Sequence, residues 1–165
     1  MNESFSSPVA ELLDSQHIAY EVIEIPLSSD RKPIRSLEEL LETRGGNPHR
    51  IVKSLVFRTG SDAFILLAAA GSGRADWGVL RKFLNEKRLA MAQPEEVLSA
   101  TGFPIGAVPP IAVPDNIRIL VDQSVLELDQ VVIGSGVLGY ALELSGEAFK
   151  KLLDLTNVGM FIKAE

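Results

Sequence analysis

Three stretches of this chain carry residue types that could do chemistry. Residues 50–58, RIVKSLVFR, place a lysine inside a run of branched and aromatic side chains. Alternate residues of a strand share a face, so Lys53 lies with Ile51, Leu55 and Phe57, and Val52, Ser54 and Val56 lie opposite. If the Lys53 face is inside, the ammonium needs an anionic or carbonyl partner. If the strand is at an edge, the same side chain reaches solvent along its methylenes. Residues 102–110, GFPIGAVPP, form the second stretch. Pro109 and Pro110 stiffen the chain, Gly106 permits close approach to a ligand, and free amides at Ala107 and Val108 would be pre-set donors. A rigid structural connection would call for the same residues. The third stretch is Gly134-Ser135-Gly136-Val137-Leu138-Gly139, which spells G-x-G-x-x-G. A dinucleotide site needs a helix to begin there, yet Tyr140-Ala141-Leu142-Glu143-Leu144 alternates like a strand. A close turn between two strands is expected, whose amides can still line a pocket.

Other chemistries are excluded by what is missing. There are no cysteines, so disulfides, Cys-based zinc sites and Cys nucleophiles are ruled out. His17 and His49, the two histidines, have no metal-ligand spacing, so no metal and no cofactor is expected. His49 sits in a basic loop where it could touch phosphate or only solvent. Gly71-Ser72-Gly73 lacks the lysine of a phosphate-binding loop and reads as a turn, and no Gly-x-Ser-x-Gly elbow occurs.

The elements that must position these stretches follow from local signals. Ser7-Pro8 opens a helix, and Ser36-Leu37-Glu38-Glu39 is a capping box for another that runs to about Thr43. Residues 20–25 read as a strand. Residues 50–58 and 63–70 form a hairpin around Gly60-Ser61-Asp62. Asp76 caps a helix; residues 89–92 are a short strand; residues 94–101 are a helix stopped by Gly102. Four prolines make residues 103–114 a loop. Residues 118–122, 131–133 and 140–144 are strands, 147–155 a helix and 158–163 a closing strand. Helices and strands do not alternate strictly, which predicts an α+β fold with a curved mixed sheet rather than a doubly wound one.

The 165 residues fit one domain, 1–165, large enough for a core and a pocket. No apolar run reaches the ~18 to 20 residues that span a bilayer, so no membrane partner is expected. The first ten residues lack a basic start and an apolar segment, which makes the cytoplasm the default location. Lys and Arg number 16 against 22 Asp and Glu, a net charge of −6. Residues 31–88 nevertheless hold 12 basic and 6 acidic side chains, a local surplus that can meet phosphate because salt confines each charge to about 8 to 10 Å. These charges are scattered, with neither a basic tract nor interleaved aromatics, so RNA would be met through backbone and end geometry.

The order of HIAYEVIEIP, RIVKSLVF, KRLAMAQPEEVLSATGFPIGAVPP and RILVDQSVLELDQVVIGSGVLGYALELS resembles the YbaK / prolyl-tRNA synthetase-associated domain family, over roughly residues 8–155. The resemblance implies a barrel-like mixed sheet with short flanking helices. It also implies hydrolysis of the ester of mischarged tRNA, most often tRNA for proline, by a free-standing trans-editing deacylase. Its partners would be the acceptor end of aminoacyl-tRNA and a synthetase. The family's essential lysine falls on Lys53, followed by Ser54. Its G-x-x-x-P loop falls on Gly106, Ala107, Val108, Pro109 and Pro110, its glycine-rich turn on Gly134, Ser135 and Gly136, and an acidic position on Asp122. Ala141 stands where the cysteine-specific branch carries Asp, and Lys53-Ser54 where the alanine-specific branch carries Lys-Asn. The implied chemistry uses Lys53 and loop amides near Ala107 and Val108 to stabilise an oxyanion, with a small pocket walled by Val108 and by either Ile51 or Val52. Two other classes fit the same residues: a non-catalytic module that holds a tRNA acceptor end or escorts a synthetase, and a nucleotide-binding protein built on the glycine-rich turn.

Overall fold

Capping chemistry starts the helices where the sequence places them. The computed structural model describes residues 5–71 and 73–163. In α1 (Pro8–Ser15) the Ser7 hydroxyl accepts from the Ala10 amide at 3.1 Å, with proline at the first helical position. In α2 (Leu37–Thr43) Ser36 accepts from Glu39, and in α3 (Trp77–Leu84) Asp76 accepts from Val79. Helix α4 (Pro94–Thr101) stops at Gly102, whose φ of 81° suits a residue without a β-carbon.

Eight strands are present among the described residues: β1 (Glu21–Glu24), β2 (Val52–Thr59), β3 (Phe64–Ala70), β4 (Leu89–Met91), β5 (Arg118–Asp122), β6 (Gln130–Gly134), β7 (Tyr140–Ser145) and β8 (Val158–Gly159). Two expected elements are shorter than their patterns. Helix α5 (Gly146–Lys150) gives way to i→i+3 bonds from Leu152 to Phe149 and from Leu153 to Lys150. The closing strand pairs with β5 only through Val158 and Gly159, because the Phe161 amide turns away to the Asp122 carboxylate at 2.7 Å.

The fold is α+β. Its strands form two sheets where the sequence suggested one curved sheet. One is antiparallel, in the order β1-β7-β6. The other is mixed, β4-β2-β3-β5-β8, with parallel pairing of β3 to β5 and of β5 to β8. Among the described residues one bridge, from Ile51 just before β2 to Val132 of β6, joins the sheets. Both faces of the mixed sheet are covered, which is why β3 reads as an unbroken apolar run. Val52, Val56, Leu66 and Ala68 pack toward Val131, Ile133, Leu142 and Phe149 in the largest cluster. Phe57, Ile65, Leu67 and Ala69 pack on the other side with Leu80 and Phe161. A third cluster, Ile23, Leu41, Ile51, Val132 and Ala141, lies where the two sheets meet.

Strand β4 reaches only Phe57, Arg58 and Thr59 of β2. Residues 52–56 therefore have β3 on one side and no ladder on the other, apart from one bond from the Ala92 amide to the Val56 carbonyl at 3.0 Å. Peptide groups two apart in a strand point the same way, so those of Ser54 face this open edge as well.

Candidate active site

A cavity of about 260 Å³ fills the open edge of β2. Its inner walls are Val52, Ser54, Val56, Val108, Ile133 and Gly134, the side of the strand that belongs to the largest core. Lys53, Leu55 and Met91 border it from the opposite side of the sheet. The pairing supports this division: Met91 stands opposite Phe57, and cross-strand partners share a face, as do residues two apart. The cavity therefore wraps around the edge of β2, with Ser54 inside and Lys53 at the lip.

Lys53 is half-buried. Among the described residues the two ion pairs are Arg50 with Glu143 and Arg58 with Glu96, so Lys53 is in neither. It also borders a second, smaller depression with His49, Glu38 and Glu42. The expected face partners divide: Leu55 and Phe57 pack under α3, whereas Ile51 joins the cluster beneath α2. Ile51 and Val52, expected on opposite faces so that only one could wall a pocket, both line the cavity. Ile51 precedes the strand, at the end of a 3-10 turn (Pro48–Arg50), and the cavity bends around the edge that follows.

The Ser54 hydroxyl oxygen is buried and has no hydrogen-bond partner among the described residues. A buried polar atom without a partner costs about 1 to 3 kcal/mol, so its presence on the wall of a cavity marks a place where a ligand group could complete it.

The loop at residues 102–110 contributes Ile105, Gly106 and Val108 to the cavity. The expectation of a free amide at Ala107 is corrected: that N–H donates to the Pro104 carbonyl at 3.1 Å, closing a turn. Ala107 is instead a buried support, its carbonyl accepting from the Gly136 amide at 2.8 Å. No bond from the Ile105, Gly106 or Val108 amide to another protein group is present among the described residues, which leaves these three as the loop's available donors. Pro109 and Pro110 are buried behind the cavity wall.

The glycine-rich segment is the β6–β7 turn, with Gly134 opposite Ala141. Gly134 lines the cavity, whereas Ser135 and Gly136 do not. Ser135 is fully buried, and its hydroxyl is consumed within the turn, against the Val137 and Tyr140 carbonyls at 3.0 and 2.8 Å and the Val137 amide at 3.1 Å. Gly136, at φ 88°, lies against the Phe103 ring, where a β-carbon would stand 2.8 Å from a ring atom. Asp122 is also outside the cavity. Its carboxylate accepts from Ser124 and from the Phe161 amide, which ties β5 to the C-terminal segment.

Sequence reasoning passed over Arg50 and Glu143, whose side chains meet at 3.1 Å and are largely buried. Their ion pair pins the approach to β2 onto β7. Residues at the lip were missed too: Met91 and Ile105 are 44% and 55% exposed yet border the cavity. No helix among the described residues is long and apolar enough to cross a membrane, and no cluster of three or more potential metal ligands occurs among them.

The arrangement offers a half-buried cation, three unbonded loop amides and a buried hydroxyl around a largely apolar chamber. Comparisons with known proteins show where it belongs. A sequence model of the aminoacyl-tRNA editing domain matches residues 31–152. The chain is a member of the aminoacyl-tRNA editing domain family. Proline–tRNA ligase of Kosmotoga olearia is 32% identical over 74% of this chain and 20% of its own length, and that of Thermosipho melanesiensis is 29% identical over 75% and 21%. This chain thus spans about a fifth of those ligases. YwhH of Bacillus subtilis, an uncharacterized protein, is 34% identical over 67% of this chain and 69% of its own. A crystal structure described as a candidate trans-editing enzyme for prolyl tRNA synthetase superposes with a TM-score of 0.74 at 27% identity, covering 97% of this chain and 99% of that one. The editing-domain match takes in β2, the 102–110 loop and the β6–β7 turn, so every wall of the cavity except Ile25 belongs to the matched region.

Proposed function

We propose that this editing domain hydrolyses the ester joining a small, uncharged amino acid to the 3′ end of a mischarged tRNA, with tRNA for proline as the first candidate. One observation carries the reading: Lys53, Ser54, Gly106 and Val108 border a single, largely apolar cavity of about 260 Å³. Membership of the family and the likeness to proline–tRNA ligases support it.

In this reading the side chain enters between Val52, Val56, Val108 and Ile133, and the ester carbonyl stops beside the loop. Water adds to that carbonyl carbon. The tetrahedral oxyanion is held by the amides of Gly106 and Val108, and one such donor is typically worth about 3 to 4 kcal/mol. Lys53, at the lip where the ribose must lie, favours the negative charge that passes to the departing ribose oxygen. That oxygen leaves with a proton, giving the free amino acid and a tRNA with an intact 3′ hydroxyl. Ser54 bonds a polar group of the amino acid and so orients it. An aminoacyl ester is already activated, and the neighbouring ribose hydroxyl or the substrate amine can place the water, so no protein nucleophile is needed.

A size sieve of this kind answers a definite need. One methylene gives a synthetase only ~1 to 3 kcal/mol of discrimination, so a second chamber must remove what slips through. Apart from Ser54, whose hydroxyl this reading assigns to the substrate amine, the walls around the side chain are aliphatic, and burying a hydroxyl among them without a partner costs about 1 to 3 kcal/mol. Alanine should therefore leave faster than serine or threonine.

The test is release of amino acid from tRNA-Pro charged separately with Ala, Cys, Ser, Thr and Pro. The expected result is rapid loss of Ala and retention of Pro. Release of none of the five would overturn the reading, and binding without release would point to a holding module instead.

A further inference from the structure

We infer that the lip of the cavity, Met91 with Leu55 and Ile105, is the seat of a purine base: the terminal adenine of the aminoacyl-tRNA, held by its face and not read at its edge. The inference rests on the proposed deacylase reading and assigns the outer half of the same site.

The chamber around Ser54 is closed on its inner side by β6 and the 106–108 backbone, so a substrate ester extends its nucleoside outward, past the edge of β2. What it meets there is apolar. Met91 and Ile105 are 44% and 55% exposed, and both border the cavity. Leu55 lies between Met91 and Lys53 on the same side of the strand. None of the three offers a side-chain donor or acceptor for a base edge. A thioether and two aliphatic groups do suit the flat face of a heterocycle, and methionine sulfur is favoured against aromatic rings.

Both exposed residues stand on fixed backbone. Met91 is paired to Phe57 in the sheet. Ile105 sits within the turn closed by the Ala107 amide on Pro104, and the Gly136 amide holds the Ala107 carbonyl. A pre-set surface loses little freedom when a ligand covers it. The charges alongside suit a nucleotide better than an apolar peptide. Lys53 continues the row at one end of the lip. The next depression along β4 is lined by Arg88 and by Arg58, which is paired to Glu96, with Asp62 as its carboxylate, and Arg88 is the cation there that the phosphates of preceding nucleotides could meet.

The experiment uses binding, so that it does not depend on catalysis. The probes are two non-hydrolysable mimics in which an amide replaces the ester: 3′-alanylamino-3′-deoxyadenosine, and the same sugar without a base. Each is titrated by calorimetry into the wild-type protein and into Ile105→Ser and Met91→Thr. Covering one face of a base is worth about tenfold in affinity, so the adenosine mimic should bind about tenfold tighter than the base-free one to wild type. In each variant that ratio should shrink toward one, and a guanosine mimic should match the adenosine mimic on wild type. Ile105→Ser lies in an exposed loop and guards against a fold defect at β4. Equal binding of both mimics to wild type, or a ratio undiminished in both variants, would overturn the inference, as would a strong preference for adenine over guanine. Failure of the deacylase reading would show separately, as intact esters in the charged-tRNA panel.

Discussion

The backbone of Val108 rests directly on the α-carbon of Gly134, so close that a β-carbon there would overlap the Val108 carbonyl and stand 3.0 Å from the Ala107 carbonyl oxygen. The contact lies at the cavity, since Val108 and Gly134 are both walls of it. It also joins two stretches that are separate in the chain, the proline-stiffened loop and the β6–β7 turn.

Gly134→Ala should therefore push the loop off β6 and spoil the oxyanion donors. We expect an overpacking cost of about 1 to 3 kcal/mol in stability. Deacylation should fall by at least about 100-fold, the usual loss for a misplaced oxyanion donor. Denaturant unfolding and single-turnover release measure the two effects. A variant that keeps full activity would show that the loop does not hold the carbonyl.

Ser54→Ala separates function from folding in the opposite direction. Its hydroxyl oxygen is buried without a partner, so the protein gives up no internal hydrogen bond when it is removed. Stability should stay level or rise, by up to about 1 kcal/mol, while release of alanine slows by about tenfold because the substrate loses its partner. Thermal unfolding beside the release assay tests both halves. Loss of stability with unchanged release would make Ser54 a packing residue.

How much of this was legible beforehand depended on whether a signal is local. Ser7, Ser36 and Asp76 announce helix starts because a cap acts within three residues, and all three cap as expected. The β2–β3 hairpin was legible for the same reason. The closing strand was overestimated because what shortens it is distant in sequence: the Asp122 carboxylate claims the Phe161 amide. The candidate site was half legible. Lys53, Ser54, Gly106, Val108 and Gly134 meet at one cavity, but Ala107, Ser135 and Gly136 hold that wall from behind. Motif spacing cannot tell an amide that faces a ligand from one spent on a turn. The open edge of β2, which creates the cavity, arises from the shortness of β4, and no single residue encodes it.

Acid should weaken the joint between β2 and α4. Glu96 accepts from the Gln93 amide and from Arg58, both at 2.9 Å, and these contacts, the amide foremost, hold its carboxyl below its ordinary 4.5. A depressed folded-state pKa contributes stability that is present above the unfolded value and lost as pH falls through the folded one. The wild-type protein should thus exceed Glu96→Gln in denaturant midpoint at pH 7, with the gap closing as acid takes the pH below 4.5 and through the lowered folded-state value. An equal gap at pH 7 and pH 3 would mean that the charge of Glu96 plays no part.

The central claim is that the Lys53 ammonium, at the lip of the chamber, acts on the bond being broken. Single-turnover release of alanine from Ala-tRNA-Pro by wild type and by Lys53→Ala, both at saturating protein, measures it most directly. The account predicts that the variant stays folded, still binds the charged tRNA, and releases alanine at least about 100-fold more slowly. Equal release rates for the two proteins would contradict it.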